Sequence, residues 1–556
     1  METHRIAVPK DRLAGLQENW KTDLISGFII FLIALPLCLG IAMASGVPPL
    51  AGIIAAVVGG ILVSQISGSY VTINGPAAGL IVVILGAVES LGGGDVGYHA
   101  ALAAIVVSGC ILFVLGMLKA GLLGDFFPSS AVHGMLAAIG IIIMSKQLHI
   151  MLGVKPQAKE PLALLAEIPK SLQSMNPEIA VIGFVSLALL IVHSLIKNPM
   201  IKRVPAPLIV VVVAIVLGYV FDLDHFHVFT MSAHHYNIDP KKYLVLLPAN
   251  VWDGITHPDF SKAGTYAFWL AVLSITLVQG LESLLSAAAV DKLDPYKRQS
   301  NLSRDMAAVG LGSAVSGMLG GLPMIAEIVR SSANVDNGAR TRWSNFFHGS
   351  FMLVFVALGA SLIHHIPLAA LAGLLVFTGF RLASPAAFLT VYKIGKEQFV
   401  IFLSTILATL ATDLLIGISV GIAVNFLINI AHGAPLRYLF AADVELRPDG
   451  EDGYVVQVKH AAVFSNYISI KRQLDKIPPK KKIVVDLSGA GLVDHSVMEH
   501  LHHYERDYTD HGGKFAIVGL EGHEPSSAHP LAARRMRTNG AVTGGATGQN
   551  DPAAKP

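Results

Sequence analysis

Charge is what this chain has least of. Only 14% of its 556 residues are Asp, Glu, Lys or Arg, against roughly 25% for an ordinary soluble domain, and that deficit excludes a conventional water-facing globule. Cysteine is nearly missing too. The two present, Cys38 and Cys110, lie in apolar stretches, where a thiol acts as a small core residue, so a disulfide framework and redox chemistry are excluded. The formal net charge of +2 is unaccompanied by any basic stripe, which excludes a nucleic-acid-binding surface. What is there is hydrocarbon: 53% of the residues are hydrophobic, and from Leu24 to Val88 there are 65 consecutive residues without Asp, Glu, Lys or Arg. One helix needs about 20 residues to cross roughly 30 Å of lipid, so this run holds more than one crossing. It far exceeds the roughly 7–15-residue core of a cleaved signal and shows no cleavage pattern, so the first span is expected to be retained.

Charge-poor segments predict twelve full crossings near 22–44, 49–66, 98–119, 129–149, 178–196, 205–222, 264–290, 303–321, 344–363, 367–386, 396–412 and 414–432. Two shorter apolar stretches, about 75–90 and 325–337, each follow an extended run and a proline, Pro76 in VTINGP and Pro323 in GGLP. Proline suits the first turn of a helix, so both are expected to be half-crossings that start abruptly. They are third and tenth of fourteen segments, equivalent places in two halves of seven. Interrupted segments at matching places point to an inverted-repeat transporter with its site between them; the plainer alternative is two ordinary helices with tolerated prolines. The expected fold is therefore an all-α polytopic membrane domain with a seven-plus-seven inverted repeat, followed by a small α/β domain.

Basic residues orient it. With the amino terminus inside, Arg5, Lys10, Arg12, Lys21, Lys197, Lys202, Arg203, Lys292, Lys297, Arg298, Arg304, Arg340, Arg342, Lys393, Lys396 and Arg437 fall on the cytoplasmic side, as the positive-inside rule requires. Lys155, Lys159, Lys170, Lys241 and Lys242 sit in two longer outside loops, where that rule is weak. Both termini are expected in the cytoplasm of a cell bearing this multi-pass chain in its inner or plasma membrane. Domain boundaries are read as 1–21 (cytoplasmic segment), 22–434 (transmembrane domain), 435–537 (cytoplasmic α/β domain) and 538–556 (a Gly- and Ala-rich tail with too little apolar surface to pack). In the α/β domain, 454–464, 481–487 and 514–520 read as strands and 465–477 and 495–510 as helices.

The residues that carry chemistry follow from the half-crossings. A helix that begins inside a membrane leaves amides unpaired and partial positive charge at its start, so an anion site can be made of backbone. The small residues Gly75, Ala77, Ala78 and Ala326 let a ligand approach it. Glu327, Arg330 and Ser331 fall at i, i+3 and i+4, on one helix face. Arg330 offers a planar fork to an oxyanion and Ser331 a hydroxyl; Glu327 either pairs with Arg330 or takes up a proton. Glu282 is the one acidic residue in the apolar run 268–290 and is a coupling candidate because an intramembrane carboxylate is costly, although backbone or serine neighbours could satisfy it without any transport role. Ser286 lies one turn further on the same face. His225, His227, His234 and His235 match no zinc spacing and are read as incidental in a solvated loop, and Asp413 as marking a short outside turn.

By these residues the sequence resembles the sulfate permease (SulP) family, whose animal relatives include prestin and pendrin. The stretches that carry the resemblance are ALPLCLGIAMASGVPPLAGI (34–53), INGPAAG (73–79), GLPMIAEIVRSSANVDNGART (321–341) and a carboxy-terminal region like a STAS domain. The resemblance implies a moving core and a gate domain, elevator-like transport of anions, and a homodimer. It places Arg330 on the tenth segment's anion-binding arginine, Glu282 on the eighth segment's acidic residue linked to proton or sodium coupling, and Gly75, Pro76, Ala77 and Ala78 on the third segment's start. Glu327 departs from the serine of many relatives. In VVDLSGAGLVDHSVMEHL (484–501), His495 replaces the serine that is phosphorylated in anti-sigma-factor antagonists, with Ser496 adjacent, which favours structural or partner docking over that phosphorylation.

The expected activity is secondary transport of a small inorganic oxyanion, sulfate or bicarbonate, without enzymatic chemistry, cofactor or metal, and with a proton or sodium ion as coupling ion. Membrane lipid and a cytoplasmic partner at the STAS region complete the expected partners. The rivals are a proton-coupled nucleobase carrier of the same fold and an anion-sensing signalling or motor protein.

Overall fold

The fourteen expected segments are all present in the computed structural model of the protein, which describes residues 8–121, 126–158, 160–198, 201, 204–231, 234–248, 251–450, 452–510 and 512–537. They are α1 (Arg12–Ala44), α2 (Pro49–Val58, prolonged to Ile66), α3 (Ile81–Ser90), α4 (Gly94–Met117), α5 (Ser129–Met151), α6 (Pro177–Leu195) and α7 (Ala206–Val220). The second half comprises α8 (Tyr266–Leu293), α9 (Leu302–Met318), α10 (Ile328–Asp336), α11 (Trp343–Ile363), α12 (Leu368–Leu382), α13 (Lys396–Ala411) and α14 (Leu414–Ala431). Among the described residues eight helices are long and apolar enough to cross a membrane by themselves, and the shorter apolar ones include Ala78–Ser90, Ala206–Val220 and Trp343–Gly359.

Packing repeats with an offset of seven. α1 lies on α11 as α8 lies on α4; α2 lies on α11 as α9 lies on α4; α6 lies on α12 as α13 lies on α5. Small residues make the approach possible where lipid supplies no hydrophobic drive between helices. A Cβ on Gly109 of α4 would sit 2.6 Å from the Gly310 carbonyl of α9, and one on Gly60 would sit 2.5 Å from Gly349 of α11. Gly60 belongs to a π turn, Gly59–Val63, a one-residue widening that presses α2 against both α11 and the extended run at Asn74.

Several boundaries differ from the sequence reading. α1 starts at Arg12 and its 33 residues span about 50 Å, so residues 12–21 of the expected amino-terminal segment are helical and continuous with the first crossing. Asp11 starts it, accepting from the Arg12 amide at 2.8 Å and holding Arg342 through Nε at 2.8 Å. The stretch 367–386 breaks after Leu382, because Pro385 cannot continue the helix but suits the start of the next one, Pro385–Ile394. The histidine-bearing stretch 222–237 is a hairpin rather than a loop: β2 (His227–Met231) pairs antiparallel with β3 (His234–Ile238). A helix, Pro161–Gln173, also lies between α5 and α6. Asp413 accepts from the Ile416 amide at 2.9 Å, fastening the turn before α14.

Contacts divide the chain into two units, 1–392 with 396–425, and 393–395 with 426–556. The second unit is an α/β sheet of β5 (Asp443–Asp449), β6 (Gly453–Ala462), β7 (Lys482–Val493), β8 (Lys514–Val518), β9 (His523–Pro525) and β10 (Arg534–Met536). β6, β7 and β8 are parallel neighbours, while β5 and β10 run antiparallel to β6 and β7. Ile483, Val485 and Leu487 alternate into the core with the period of two that a strand imposes, beneath α15 (Tyr467–Leu474) and α16 (His495–Asp510). This unit fits the expected STAS region, with β5, β9 and β10 added. His495 is buried with its Nδ1 2.7 Å from the Leu531 carbonyl, and Ser496 is buried as well. The expected tail, 538–556, lies outside the described residues.

Candidate functional site

The two extended runs before the half-helices are paired with each other. β1 (Asn74–Gly75) is antiparallel to β4 (Ile325–Ala326), with Asn74 opposite Ala326 and Gly75 opposite Ile325. Backbone that is not helical at membrane depth must find partners within the protein, and each run supplies the other's. The Glu327 amide extends the pairing to the Ile73 carbonyl at 2.9 Å. The pairing corrects one expectation: neither proline lies in a first helical turn. Gly75 and Ala326 belong to the strands, and the helices begin later, at Ala78 as a 3-10 turn leading into α3 and at Ile328 in α10.

α8 clamps the second run. Gln279 donates to the Met324 carbonyl at 2.9 Å, Ser313 of α9 accepts from the Met324 amide at 3.0 Å, and Ser283 accepts from the Ala326 amide at 3.3 Å. Tyr98 of α4 donates to the Gly320 carbonyl at 2.5 Å, where Gly320, at φ +88°, ends α9 in the left-handed turn that glycine permits. Gln279, Ser283, Ser313 and Tyr98 were not singled out in the sequence. Their signal was available in part: Gln279 is an isolated amide in an apolar span, one turn before Glu282. Ser286 is buried on α8, but the serine that holds the run is Ser283.

Arg330 is the largest fully buried side chain, at 1% exposure. Its Nη2 donates to the Pro76 carbonyl at 2.7 Å and its Nη1 faces Cys38 Sγ at 3.5 Å, so the α10 arginine is tied to the start of the opposite half-helix and to α1. Its Nε has no hydrogen-bond partner among the described residues and lies 3.9 Å from Glu327 Oε2. That same oxygen accepts the Arg330 amide at 2.7 Å, making Glu327 the N-cap of α10. Glu327 and Arg330 thus pair, one of the two alternatives left open by the sequence. Ser331 donates to the Glu327 carbonyl at 2.6 Å and accepts the Ile73 amide at 2.9 Å. Its one donor is committed to backbone, so in this conformation Ser331 fixes the crossing of the two runs and offers no donor to a ligand.

The α3 start is different. Ala77 is its N-cap and no side chain caps it. Ala77 is buried and Ala78 half-buried. Glu282 reaches across from α8 to lie against Gly79, where any Cβ would collide with its carboxylate, and its Oε2 has no hydrogen-bond partner among the described residues. A narrow recess with no room for a water molecule, lined by Ile41, Ser45, Pro76, Ala77, Leu80, Ile84, Leu322 and Pro323, lies beside both extended runs.

A polar layer supports the crossing. Ser26 of α1 donates to Asn334 Oδ1 at 2.7 Å, and Asn334 donates to the Val71 carbonyl at 2.9 Å and to Ser344 at 2.8 Å. Asn345 of α11 donates to Asn74 Oδ1 at 3.0 Å. Asn74 Nδ2 has no partner among the described residues; the bonds that are made fix a backbone crossing that apolar packing alone would leave free to slide. The arrangement gathers one helix start without a side-chain cap, one arginine and two carboxylates, Glu282 and Glu327, around the crossing. Among the described residues no group of three or more His, Cys, Asp or Glu is placed to hold a metal ion.

Comparison with known proteins agrees with this architecture. Residues 20–405 match the model of the sulfate permease family. YvdB of Bacillus subtilis is 24% identical over 519 residues, covering 92% of this chain and 94% of that protein. The bicarbonate transporter BicA of Picosynechococcus is 26% identical over 439 residues, covering 78% of this chain and 74% of that one. The solved transmembrane domain of a cyanobacterial BicA superposes with a TM-score of 0.62 at 21% identity, covering 73% of this chain and 97% of that domain. This chain is a multi-pass membrane protein of the sulfate permease family, a family of anion transporters and not of enzymes.

Proposed function

We propose that the protein is a secondary active transporter of a small inorganic oxyanion, sulfate or bicarbonate, driven by a proton or sodium gradient. The observation that carries this reading is the β1–β4 pairing, which brings an uncapped helix start and the Arg330 guanidinium together at the Pro76 carbonyl. Helix starts and arginine are what a membrane protein can offer an oxyanion at low dielectric without water. Relatives named as sulfate and bicarbonate transporters support the same substrate class.

In this reading the anion binds at the α3 start, beside Ala77 and Ala78, within reach of Arg330. Glu282 carries the coupling ion: its carboxylate lies against Gly79 and therefore against the start that receives the anion. Opposite charges taken up together lower the cost of moving either through hydrocarbon. The helices that carry the site, α1 to α4 and α8 to α11, pack chiefly among themselves, as do α5 to α7 with α12 and α13; this division supports an elevator motion of the first group against the second. Family resemblance adds a homodimer in the plasma membrane with cytoplasmic termini. The test is uptake of labelled sulfate and bicarbonate into proteoliposomes under imposed proton or sodium gradients, with uracil as control. Uphill accumulation of either anion is expected; accumulation of uracil instead, or of nothing, would remove the proposal.

A further inference from the structure

Glu327 occupies the place a ligand anion would take on α10. It is the residue before the helix, in an extended conformation at φ −96° and ψ 117°, and its carboxylate folds back on the first turn to accept the Arg330 amide. The same carboxylate oxygen faces the unpaired Nε of a guanidinium that is 99% buried. A buried arginine nitrogen and a helix amide converging on one oxygen are the donors an oxyanion needs. Here they converge on the protein's own carboxylate. The other nitrogens of Arg330 are turned away to Pro76 and Cys38.

We propose that Glu327 is a tethered competitor of the transported anion: its carboxylate holds the α10 donors, and the anion engages them only when that carboxylate has swung aside. This rests on the transport reading above. The hydrogen bond from the Arg330 amide then passes from Glu327 to the anion. Other titratable groups face this place. Glu282 of α8 and Cys38 of α1 lie within electrostatic reach of Glu327, and His348 of α11 within reach of Arg330. Glu282 adds repulsion of the same sign, whereas Cys38 and His348 oppose nothing while neutral. An N-cap glutamate would by itself stabilise the helix; what that role does not produce is competition.

The test is binding of sulfate, and separately of bicarbonate at one alkaline pH, to the purified full-length protein. Wild type, Glu327→Gln, Glu327→Ala and Glu327→Asp are compared, with the melting temperature of each recorded to show that it is folded. Glu327→Gln and Glu327→Ala are expected to bind the anion about tenfold tighter than wild type in alkali, a difference of about 1.4 kcal/mol, while Glu327→Asp stays weak. Equal or weaker binding by folded Glu327→Gln and Glu327→Ala would overturn the competitor alone and leave the transport reading standing. Binding of neither anion by any folded variant would overturn both.

Discussion

The α3 start is built from Pro76, Ala77, Ala78 and Gly79 and has no side-chain cap, whereas the α10 start carries Glu327 as its cap and Arg330 in its first turn. Both follow extended runs that pair in register, and both stand at the third place of their half. The backbone is repeated while the chemistry is not. One start has no side-chain cap and meets its arginine across the crossing, and in the proposed reading receives the ligand; the other lends that arginine and covers its own amide. Two identical charged starts would repel each other's cations at low dielectric, and two bare ones would hold an anion with no means of coupling its release to a proton.

The largest expected break of this division is Arg330→Ala. It removes the guanidinium at the crossing and its hydrogen bond to the buried Pro76 carbonyl, at roughly 1–3 kcal/mol, so anion uptake into proteoliposomes should fall to the level of empty vesicles and the melting temperature should drop. Arg330→Lys keeps the charge without the fork and should recover only a minor part of uptake. Next is Glu282→Gln, which should abolish uphill accumulation while leaving anion exchange down a gradient; continued gradient-driven accumulation would remove Glu282 from the coupling role. Gly79→Val sharpens the comparison from the α3 side. Its side chain must displace the Glu282 carboxylate, and uptake is expected to fall about tenfold or more, because a misplaced group at a site can cost that much.

Smaller effects are expected away from the crossing. Gly109→Val overfills the α4–α9 contact, where even a Cβ meets the Gly310 carbonyl, at about 1–3 kcal/mol; the melting temperature should fall without a change in anion affinity. The smallest concerns the α/β unit. Burial pushes Asp494 up from 3.8 to about 6, against the amides of Val497 and Phe464 that pull the other way. The folded unit therefore prefers the neutral carboxyl. Its contribution is complete below pH 3.8 and lost as pH rises through about 6, on the order of 2–3 kcal/mol. The difference in melting temperature between wild type and Asp494→Asn should shift in the variant's favour by a few degrees across that window, and a constant difference would contradict it.

Scarcity of charge made the crossings legible, and the runs ending at Pro76 and Pro323 located both half-helices, because the bilayer forces apolar composition on every span. Arg330 and Glu282 stood out for the same reason. What could not be read is what depends on partners distant in sequence. The Glu327 cap could be named only as one alternative until its carboxylate was seen to turn back on the Arg330 amide. The commitment of Ser331 to Ile73, the clamp by Gln279 and Ser283, and the use of Cys38 against Arg330 rest on side chains from α1, α8 and α9 meeting one crossing. The helix starts were placed a few residues early, since proline alone does not say whether a run ends in a helix or continues as a paired strand. The hairpin at His227–Ile238 was missed because its histidines weakened the alternation of apolar and polar residues that marks a strand.

The most direct test of the shared site places a cysteine at half-buried Ala78, in a Cys38→Ser, Cys110→Ser background, and follows its reaction with a small thiol reagent as sulfate or bicarbonate is added. An anion seated at the α3 start should slow labelling of Ala78→Cys at concentrations that saturate uptake, and Arg330→Ala should abolish that protection. Labelling at the same rate with and without a transported anion would show that the anion binds elsewhere.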